Sequence, residues 1–325
     1  MNPPEKWSGS NPPRVAVIGA GIAGLSCARA LQEAGVSVVV FEKSRSLGGR
    51  CATRRWEGHV VDHGAQYFTV RSEEFRAVLD AVCPGDMDQI RAAFLDATGE
   101  EIPAESPRWF HRQGNNRLGK ALLGGLPIRM ETPVDSVVES GGQWLLGGES
   151  FSAVVSTAPW PQTARLLGVS AGEDYAPCLT AFFSYEGSWA GTSEGVYARL
   201  DRESALAWSA CENHKPGRVI PGQTVFVAQA SPAWSGDFFE TPPDQWAAEL
   251  QGLLEEKWAL PKDARRASFT HRWGFARLIT SPELPELPAG FFVSGDARSE
   301  SRVESAWLSG LQTATQVIEW CASKS

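Results

Sequence analysis

Apolar residues recur along this chain with two different periods, and the switches between them mark out its elements. Arg14 leads into Val15, Ala16, Val17 and Ile18, a run too short for a helix and apolar and β-branched enough for a buried parallel strand. A glycine turn, Gly19-Ala-Gly21-Ile-Ala-Gly24, follows, and apolar positions at Ile22, Leu25, Ala28 and Leu31 then predict a helix running to Ala34, with Gly35 placed to end it. The next apolar run, Val36 to Phe41, predicts a second buried strand that terminates in Glu42. The chain therefore opens with a strand–helix–strand unit of the kind that builds parallel sheets.

From about Ser72 to Leu123 the spacing predicts short amphipathic helices, Glu74 to Val82 and Asn116 to Leu123, broken by Pro and Gly. Val134 to Val138, Trp144 to Leu146 and Val154 to Thr157 then read as one small meander with Gly-Gly turns at 141–142 and 147–148. Cys178 to Tyr185, Ala205 to Ala210 and Val225 to Ala230 predict longer strands of a second sheet. Thr241-Pro-Pro-Asp244 opens a helix to Trp258. The chain closes with a strand over Phe291 to Ser294, the dipeptide Gly295-Asp296 and an amphipathic helix from Val303 to about Trp320.

Composition narrows the class. With 325 residues and 42% hydrophobic content the chain is long enough for two domains and a real core. Thirty Lys and Arg against 38 Asp and Glu leave a net charge of −8, which carries no footprint for nucleic acid or an anionic membrane. The 32 Gly, 21 Pro and 13 Trp suit an enzyme with tight turns and aromatic walls better than a helical bundle. Six cysteines, at 27, 51, 83, 178, 211 and 321, form no C-x-x-C pair and are read as reduced thiols of a cytoplasmic protein. No apolar run approaches a membrane span, and the polar, Pro-rich residues 1–13 are read as a flexible tail without a secretory core.

The glycine turn supplies the first chemistry. Gly19 permits the tight turn, Gly21 lets the backbone approach a pyrophosphate, and Gly24 lets helix and strand pack closely, while the helix start at Ala23 offers free N–H groups. Glu42 follows Gly24 at the distance where a carboxylate accepts hydrogen bonds from ribose hydroxyls. NAD and FAD both fit so far. The segment from Lys43 to Arg50 favours FAD, because Gly48-Gly49 brings a second backbone approach and Arg50 a guanidinium to the same diphosphate. Asp296 at a strand end points to a ribityl chain, and the helix start at Val303 to negative charge on a reduced flavin's pyrimidine ring. His59 and His63 sit four apart, but Val60 and Val61 suggest a strand, so no metal site is expected.

EKSRSLGGRCATRR (42–55), DHGAQYFTVR (62–71), RWFHRQGNNRLGKAL (108–122), HRWGFA (271–276) and SGDARSESRVESAWLSGL (294–311) together resemble the bacterial renalase-like members of the flavin-containing amine oxidase superfamily. The resemblance covers nearly the whole chain, with the region from about 165 to 265 matching mainly in length and pattern. It implies an α/β fold: a Rossmann-like FAD-binding domain with an interleaved α+β substrate domain carrying a mixed sheet. On this reading residues 14–71, 125–165 and 268–322 bind FAD, and residues 72–124 and 166–267 form the substrate domain. The implied cofactor-binding set is Gly19, Gly21, Ala23, Gly24, Glu42, Lys43, Gly49, Arg50, Ala65, Gln66, Val134, Thr157, Asp296 and Val303. Gln66, Tyr67, Phe68 and Trp109 are expected to meet substrate, and His271, Tyr67 and Trp273 to form the catalytic surface. The chain departs from the pattern at Gly274 and Phe275, where relatives more often carry Arg and Tyr, and at Ser305 in place of a common Gly.

The superfamily's amine oxidases often hold a lysine near the flavin, and some attach it to a cysteine close to the C-terminal motif. None of the seven lysines here lies in a recognised flavin-facing block and no Cys lies between 295 and 310, so noncovalent FAD and a reaction needing little general-base help are expected. The resemblance implies oxidation of 1,2- and 1,6-dihydro isomers of NAD(P)H, with oxygen as the acceptor and hydrogen peroxide as product. Oxidation of a small amine, or FAD binding without turnover, are the competing readings. Arg54, Arg55 and Arg71 are candidates to attract a phosphate-bearing substrate.

Overall fold

The structure, a computed structural model, describes residues 6–7, 11–188 and 195–324. The predicted opening unit forms as β1 (Arg14–Ile18), α1 (Ile22–Glu33) and β2 (Ser37–Phe41). A hairpin of β3 (Thr53–Trp56) and β4 (His59–Asp62) follows, then β5 (Phe68–Thr69), α2 (Glu73–Val82), β6 (Met87–Gln89), β7 (Ala93–Leu95), β8 (Arg108–His111) and α3 (Asn116–Leu123). Next come β9 (Ile128–Arg129), β10 (Val138–Ser140), β11 (Gln143–Leu146), β12 (Glu149–Phe151), β13 (Ala153–Ser156) and α4 (Trp160–Leu167). The last part carries β14 (Tyr175–Glu186), β15 (Val196–Leu200), β16 (Leu206–Cys211), β17 (Gln223–Ala230), α5 (Pro232–Asp237) and α6 (Pro243–Trp258). It ends with β18 (Arg265–Leu278), β19 (Phe291–Val293) and α7 (Val303–Ala322).

Two sheets organise the molecule. The first is parallel, in the order β19-β13-β1-β2-β9, so its strands come from both ends and the middle of the chain. β1 is wholly buried from Val15 to Val17, as a central parallel strand requires. Helices α1 and α7 cross closely beside it. A Cβ on Gly310 would lie 2.3 Å from the Ala23 carbonyl oxygen, and the Ser26 hydroxyl donates to the Trp307 carbonyl at 2.8 Å.

The second sheet is mixed, in the order β18-β14-β17-β16-β15-β7, with only the β15–β7 pair parallel. Along β14 alternate side chains serve opposite faces. Leu179, Ala181, Phe183 and Tyr185 pack on Trp246, Leu250, Leu254 and Trp258 of α6, each burial of this kind stabilising by roughly 1.5–3 kcal/mol. Phe182, with Val225 and Val227 of β17, turns the other way and meets Val61 of the β3–β4 hairpin.

Several expectations change. The Val134–Val138 strand does not form: residues 132–137 are irregular and only Val138 enters β10, Pro133 having no N–H for a ladder. The Val154–Thr157 run is β13 of the parallel sheet, and the meander is completed instead by β12. Residues 268–278, expected with the nucleotide segments, belong to β18 and pair with β14 in the second sheet. Of the expected N-terminal tail, residues 1–5 and 8–10 lie outside the described residues, whereas the Trp7 N–H donates to the Ala34 carbonyl at 2.7 Å and its side chain packs on the first core. The cysteines are free, and among the described residues no helix is long and apolar enough to cross a membrane.

Candidate active site

The site is assembled on the backbone of β1 and α1. Gly19 has φ +102°, the left-handed region that glycine alone enters freely, and a Cβ there would lie 2.6 Å from Thr157 Oγ1. A Cβ on Gly24 would lie 2.0 Å from the Gly19 carbonyl oxygen, so the turn closes tightly onto the helix. Gly21 is different. The nearest neighbour of a Cβ there is Gly49 Cα at 4.0 Å, and α1 starts with no side-chain cap, which leaves first-turn N–H groups for an anion. The second glycine loop abuts this turn: the Gly48 N–H donates to the Ala20 carbonyl at 2.9 Å, and Gly49 (φ +56°) lies against Gly21. Glu42 is buried, and its carboxylate accepts the Ala20 and Ser44 N–H groups, each at 2.7 Å. It is thereby fixed at the end of β2 beside the cradle.

Arg50 reaches across to the C-terminal motif. It pairs with Asp296 at 2.5 Å, and Asp296 also accepts from Tyr175 Oη (2.9 Å) and Ser301 Oγ (3.0 Å). Burial pushes the Asp296 carboxyl up, but the hydrogen bond and charge of Arg50, with the two hydroxyls, outweigh it and hold the pKa below its ordinary value. Gly295 (φ +93°) turns the chain into this position close to Ala23, and Val303, buried, begins α7. Two segments 246 residues apart thus meet at the cradle.

The segment from His63 to Tyr67 carries the side-chain part of the site. Gly64 is pressed against the Arg50 loop, where a Cβ would lie 1.9 Å from the Arg50 carbonyl oxygen, and the Ala65 N–H donates to that same oxygen at 2.8 Å. On one side His63, His271 and Trp273 form a three-ring cluster: the centroids of His63 and Trp273 are 5.5 Å apart and stacked, and His271 stands edge-on to both. The Trp273 indole N–H donates to the His63 carbonyl at 2.9 Å, locking the cluster to the segment. Burial pushes the His63 pKa down to about 3, with the neighbouring His271 and Arg54 adding to the effect, and burial followed by Arg54 lowers that of His271. Both imidazoles are therefore neutral at neutral pH.

On the other side Tyr67 packs on Phe94 (5.3 Å) and Trp208 (6.0 Å), with Tyr197 completing an aromatic cluster. Gln66 is buried beside it. Its Oε1 accepts from Trp208 Nε1 at 3.0 Å and lies 3.3 Å from the Tyr197 hydroxyl, while its Nε2 is buried with no hydrogen-bond partner.

Beneath this segment lies a quartet of charges at 0% side-chain exposure. Asp62 pairs with Lys215 (3.2 Å) and Arg218 (2.9 Å), and Glu212 pairs with Lys215 (2.8 Å). The remaining Asp62 oxygen accepts from Thr53 Oγ1 (2.5 Å) and the Asn115 N–H (3.0 Å), and burial of this carboxylate is outweighed by Arg218 and Lys215, which lower its pKa.

The structure gathers Gly19, Gly21, Ala23, Gly24, Glu42, Gly49, Arg50, Thr157 and Asp296 around one cradle, and Ala65, Gln66 and Tyr67 next to it. His271 and Trp273 stand on His63 at the same segment, and Val303 starts the helix behind Asp296, whereas Phe68 and Trp109 are turned away from the site. Phe68 is buried in the first core against Phe75, because alternation along β5 turns it away from Tyr67. Trp109 pairs with Phe68 across the strands and lies under Arg76 (4.4 Å), on the face of β8 opposite Phe110 and the Tyr67 cluster. Val134 lies outside any strand and packs against the core that includes Phe41, and Lys43 is exposed with its amine 3.4 Å from Gln162. His59 bonds to Gln223 at 3.0 Å, away from His63, and among the described residues no cluster suited to a metal occurs. Arg54 stacks on Phe269 at 4.1 Å, near the ring cluster. His63, Tyr197, Trp208 and the charge quartet were not expected as site residues. Their sequence trace is Asp62 and His63 preceding Gly64-Ala-Gln-Tyr67.

The arrangement fits a flavin dinucleotide: a closed turn at Gly19 and Gly24, open space and free amides at Gly21, a fixed carboxylate at Glu42 and an unpartnered donor on Gln66. Residues 17–82 match the NAD(P)-binding Rossmann-like domain, and residues 85–318 match the family described as flavin containing amine oxidoreductase. The chain is 32% identical over 110 residues to "Possible lysine-specific histone demethylase 1" of Drosophila melanogaster and 39% identical over 67 residues to "Protoporphyrinogen oxidase 2, chloroplastic/mitochondrial" of Arabidopsis thaliana. These matches cover 33% and 21% of this chain but only 12% and 13% of those relatives' own lengths. Its fold resembles putrescine oxidase bound to putrescine (TM-score 0.70, 15% identity, 95% of this chain and 99% of that one). It also resembles cyclohexylamine oxidase from Brevibacterium oxydans IH-35A (TM-score 0.70, 12% identity, 96% and 100%). The match over residues 85–318, the larger part of the chain, together with the Rossmann cradle, means that this protein belongs to the flavin-containing amine oxidoreductase family and that FAD is the cofactor its cradle holds.

Proposed function

We propose that the protein is an FAD-dependent oxidase of the renalase-like kind, oxidising the 1,2- and 1,6-dihydro isomers of NAD(P)H: one dihydronicotinamide, one oxygen molecule and one proton give NAD(P)+ and hydrogen peroxide. FAD, held without a covalent link, would supply the hydride acceptor and the route for the electron pair to oxygen. The observation that carries this reading is the character of the groups around His63–Tyr67: flat rings on both sides, two neutral imidazoles, and a lysine whose ammonium is committed to Asp62 and Glu212. Hydride loss from a dihydropyridine carbon restores aromaticity and needs no concerted removal of an N–H proton, so such surroundings suffice. In this reading His271, Trp273 and Tyr67 wall the substrate ring, Gln66 orients it, and Arg54 draws its phosphates. The free cysteines support a reducing, cytoplasmic setting.

Family membership favours a second reading, oxidation of a small amine. A substrate panel separates the two. Purified enzyme is given each dihydronicotinamide isomer, ordinary 1,4-NADH and a series of primary amines, and peroxide is measured. The proposal expects turnover of the 1,2- and 1,6-isomers; peroxide from amines alone would overturn it.

A further inference from the structure

Two ring donors packed beside the charge quartet decide which end of the Gln66 amide meets the ligand. The indole Nε1–H of Trp208 can only donate, so the Gln66 atom 3.0 Å from it must be the oxygen. The Tyr197 hydroxyl, with a single proton to give, lies 3.3 Å from that same oxygen and 3.3 Å from Glu212 Oε1, and donates to Gln66 when the Glu212 oxygen is satisfied by Lys215. Glu212 Oε1 already receives Lys215 Nζ at 2.8 Å, and Lys215 and Arg218 both hold Asp62, the residue that precedes His63. With its acceptor turned toward Trp208 and Tyr197, Gln66 is left with a buried amide nitrogen that no protein group satisfies. Leaving such a donor unpaired costs about 1–3 kcal/mol, which a ligand acceptor removes.

We infer that Tyr197 and Trp208 are positioning residues that donate to the Gln66 oxygen and so lock its N–H toward a ligand acceptor, either a carbonyl of the flavin ring or the carboxamide oxygen of the nicotinamide. Tyr197 suits the task because burial, followed by the nearby Glu212 and Asp62 charges, pushes its pKa well above the ordinary value and keeps the hydroxyl protonated. A donor at this position favours ligands that bring an acceptor and disfavours an ammonium group, so the locked amide is a specificity device as well. The substrate arm of this inference rests on the dihydronicotinamide reading; the flavin arm does not.

The test uses FAD-replete wild type and the variants Tyr197→Phe and Trp208→Phe, with thermal melting and FAD content confirming that each is folded and loaded. Two readouts are taken: the flavin absorbance spectrum and reduction potential without substrate, and KM and kcat for the 1,2- and 1,6-dihydro isomers. If the acceptor is on the flavin, the spectrum and potential shift in the variants before any substrate is added. If it is the carboxamide, KM rises about three- to tenfold, the worth of one hydrogen bond, with kcat changed much less. Folded variants in which neither spectrum, potential nor KM moves, or in which KM rises while kcat and melting temperature fall in step with an unmoved potential, would overturn the inference. Should the isomers fail to react with wild type, the dihydronicotinamide reading fails, and an unmoved spectrum and potential in the variants then overturns the inference separately. Should Tyr197→Phe not fold, Trp208→Phe, which removes the other donor to the same oxygen, is decided by the same outcomes.

Discussion

The nucleotide cradle and the segment from His63 to Tyr67 are built by opposite means. The cradle is a backbone device: Gly19, Gly21 and Gly24 lie within six residues, and what matters is where a Cβ is forbidden and where amides are free. The other region is a side-chain device whose parts come from distant strands, with Asp62 and Lys215 separated by 153 residues and His63 and Trp273 by 210. A backbone device tolerates no added atom. A side-chain device depends on balance, because its buried charges and amides each need a partner.

That contrast sets different failures for the two regions. The largest expected effect is on stability, from Asp62→Asn: it strips the shared counter-charge from Lys215 and Arg218, and urea unfolding should show a loss of about 3–5 kcal/mol. Gly24→Ala comes next, since its Cβ would meet backbone at 2.0 Å; FAD affinity should fall roughly 100-fold, about 3 kcal/mol, read as the FAD-to-protein ratio after purification. Gly252→Ala is the matching control. It lies inside α6 with open space around it, and should stabilise by up to about 1 kcal/mol with FAD content unchanged. Arg50→Lys keeps the charge against Asp296 but loses the planar fork, and should weaken FAD about tenfold, near 1.4 kcal/mol.

The side-chain region also predicts a pH slope. The folded pKa of His63, about 3, lies below its unfolded value near 6.5, so between these limits the unfolded chain binds the extra proton and stability falls as pH falls. Asp62, also lowered, adds a loss of the same sign at the acid end of that window. Melting temperatures recorded from pH 7 downward should decline, and His63→Asn should flatten the decline above pH 4. An unchanged slope in that variant would remove His63 from the account.

The same contrast explains what could be read from residues alone. β1, α1, β2 and the glycine turn are written in contiguous residues, so their period and spacing suffice. The spacing from Asn116 to Leu123 gives the bounds of α3 for the same reason. β18 is not legible in spacing, because its polar, aromatic and glycine residues follow no simple alternation, and its register against β14 carries a bulge between Ala176 and Cys178. Phe68 and Trp109 sat within convincing motifs, yet strand alternation faces them into the first core. Tyr197, Trp208, Glu212 and Lys215 come from the stretch where the resemblance is weakest, and nothing in their local spacing shows that they converge on Gln66.

The most direct measurement is anaerobic rapid mixing of the FAD-loaded enzyme with 1,2- and 1,6-dihydro-NADH, followed at the flavin absorbance, with primary amines run in parallel. The account predicts that the flavin bleaches with the isomers and recovers on admitting oxygen. A flavin that stays oxidised with both isomers and bleaches with an amine would contradict it.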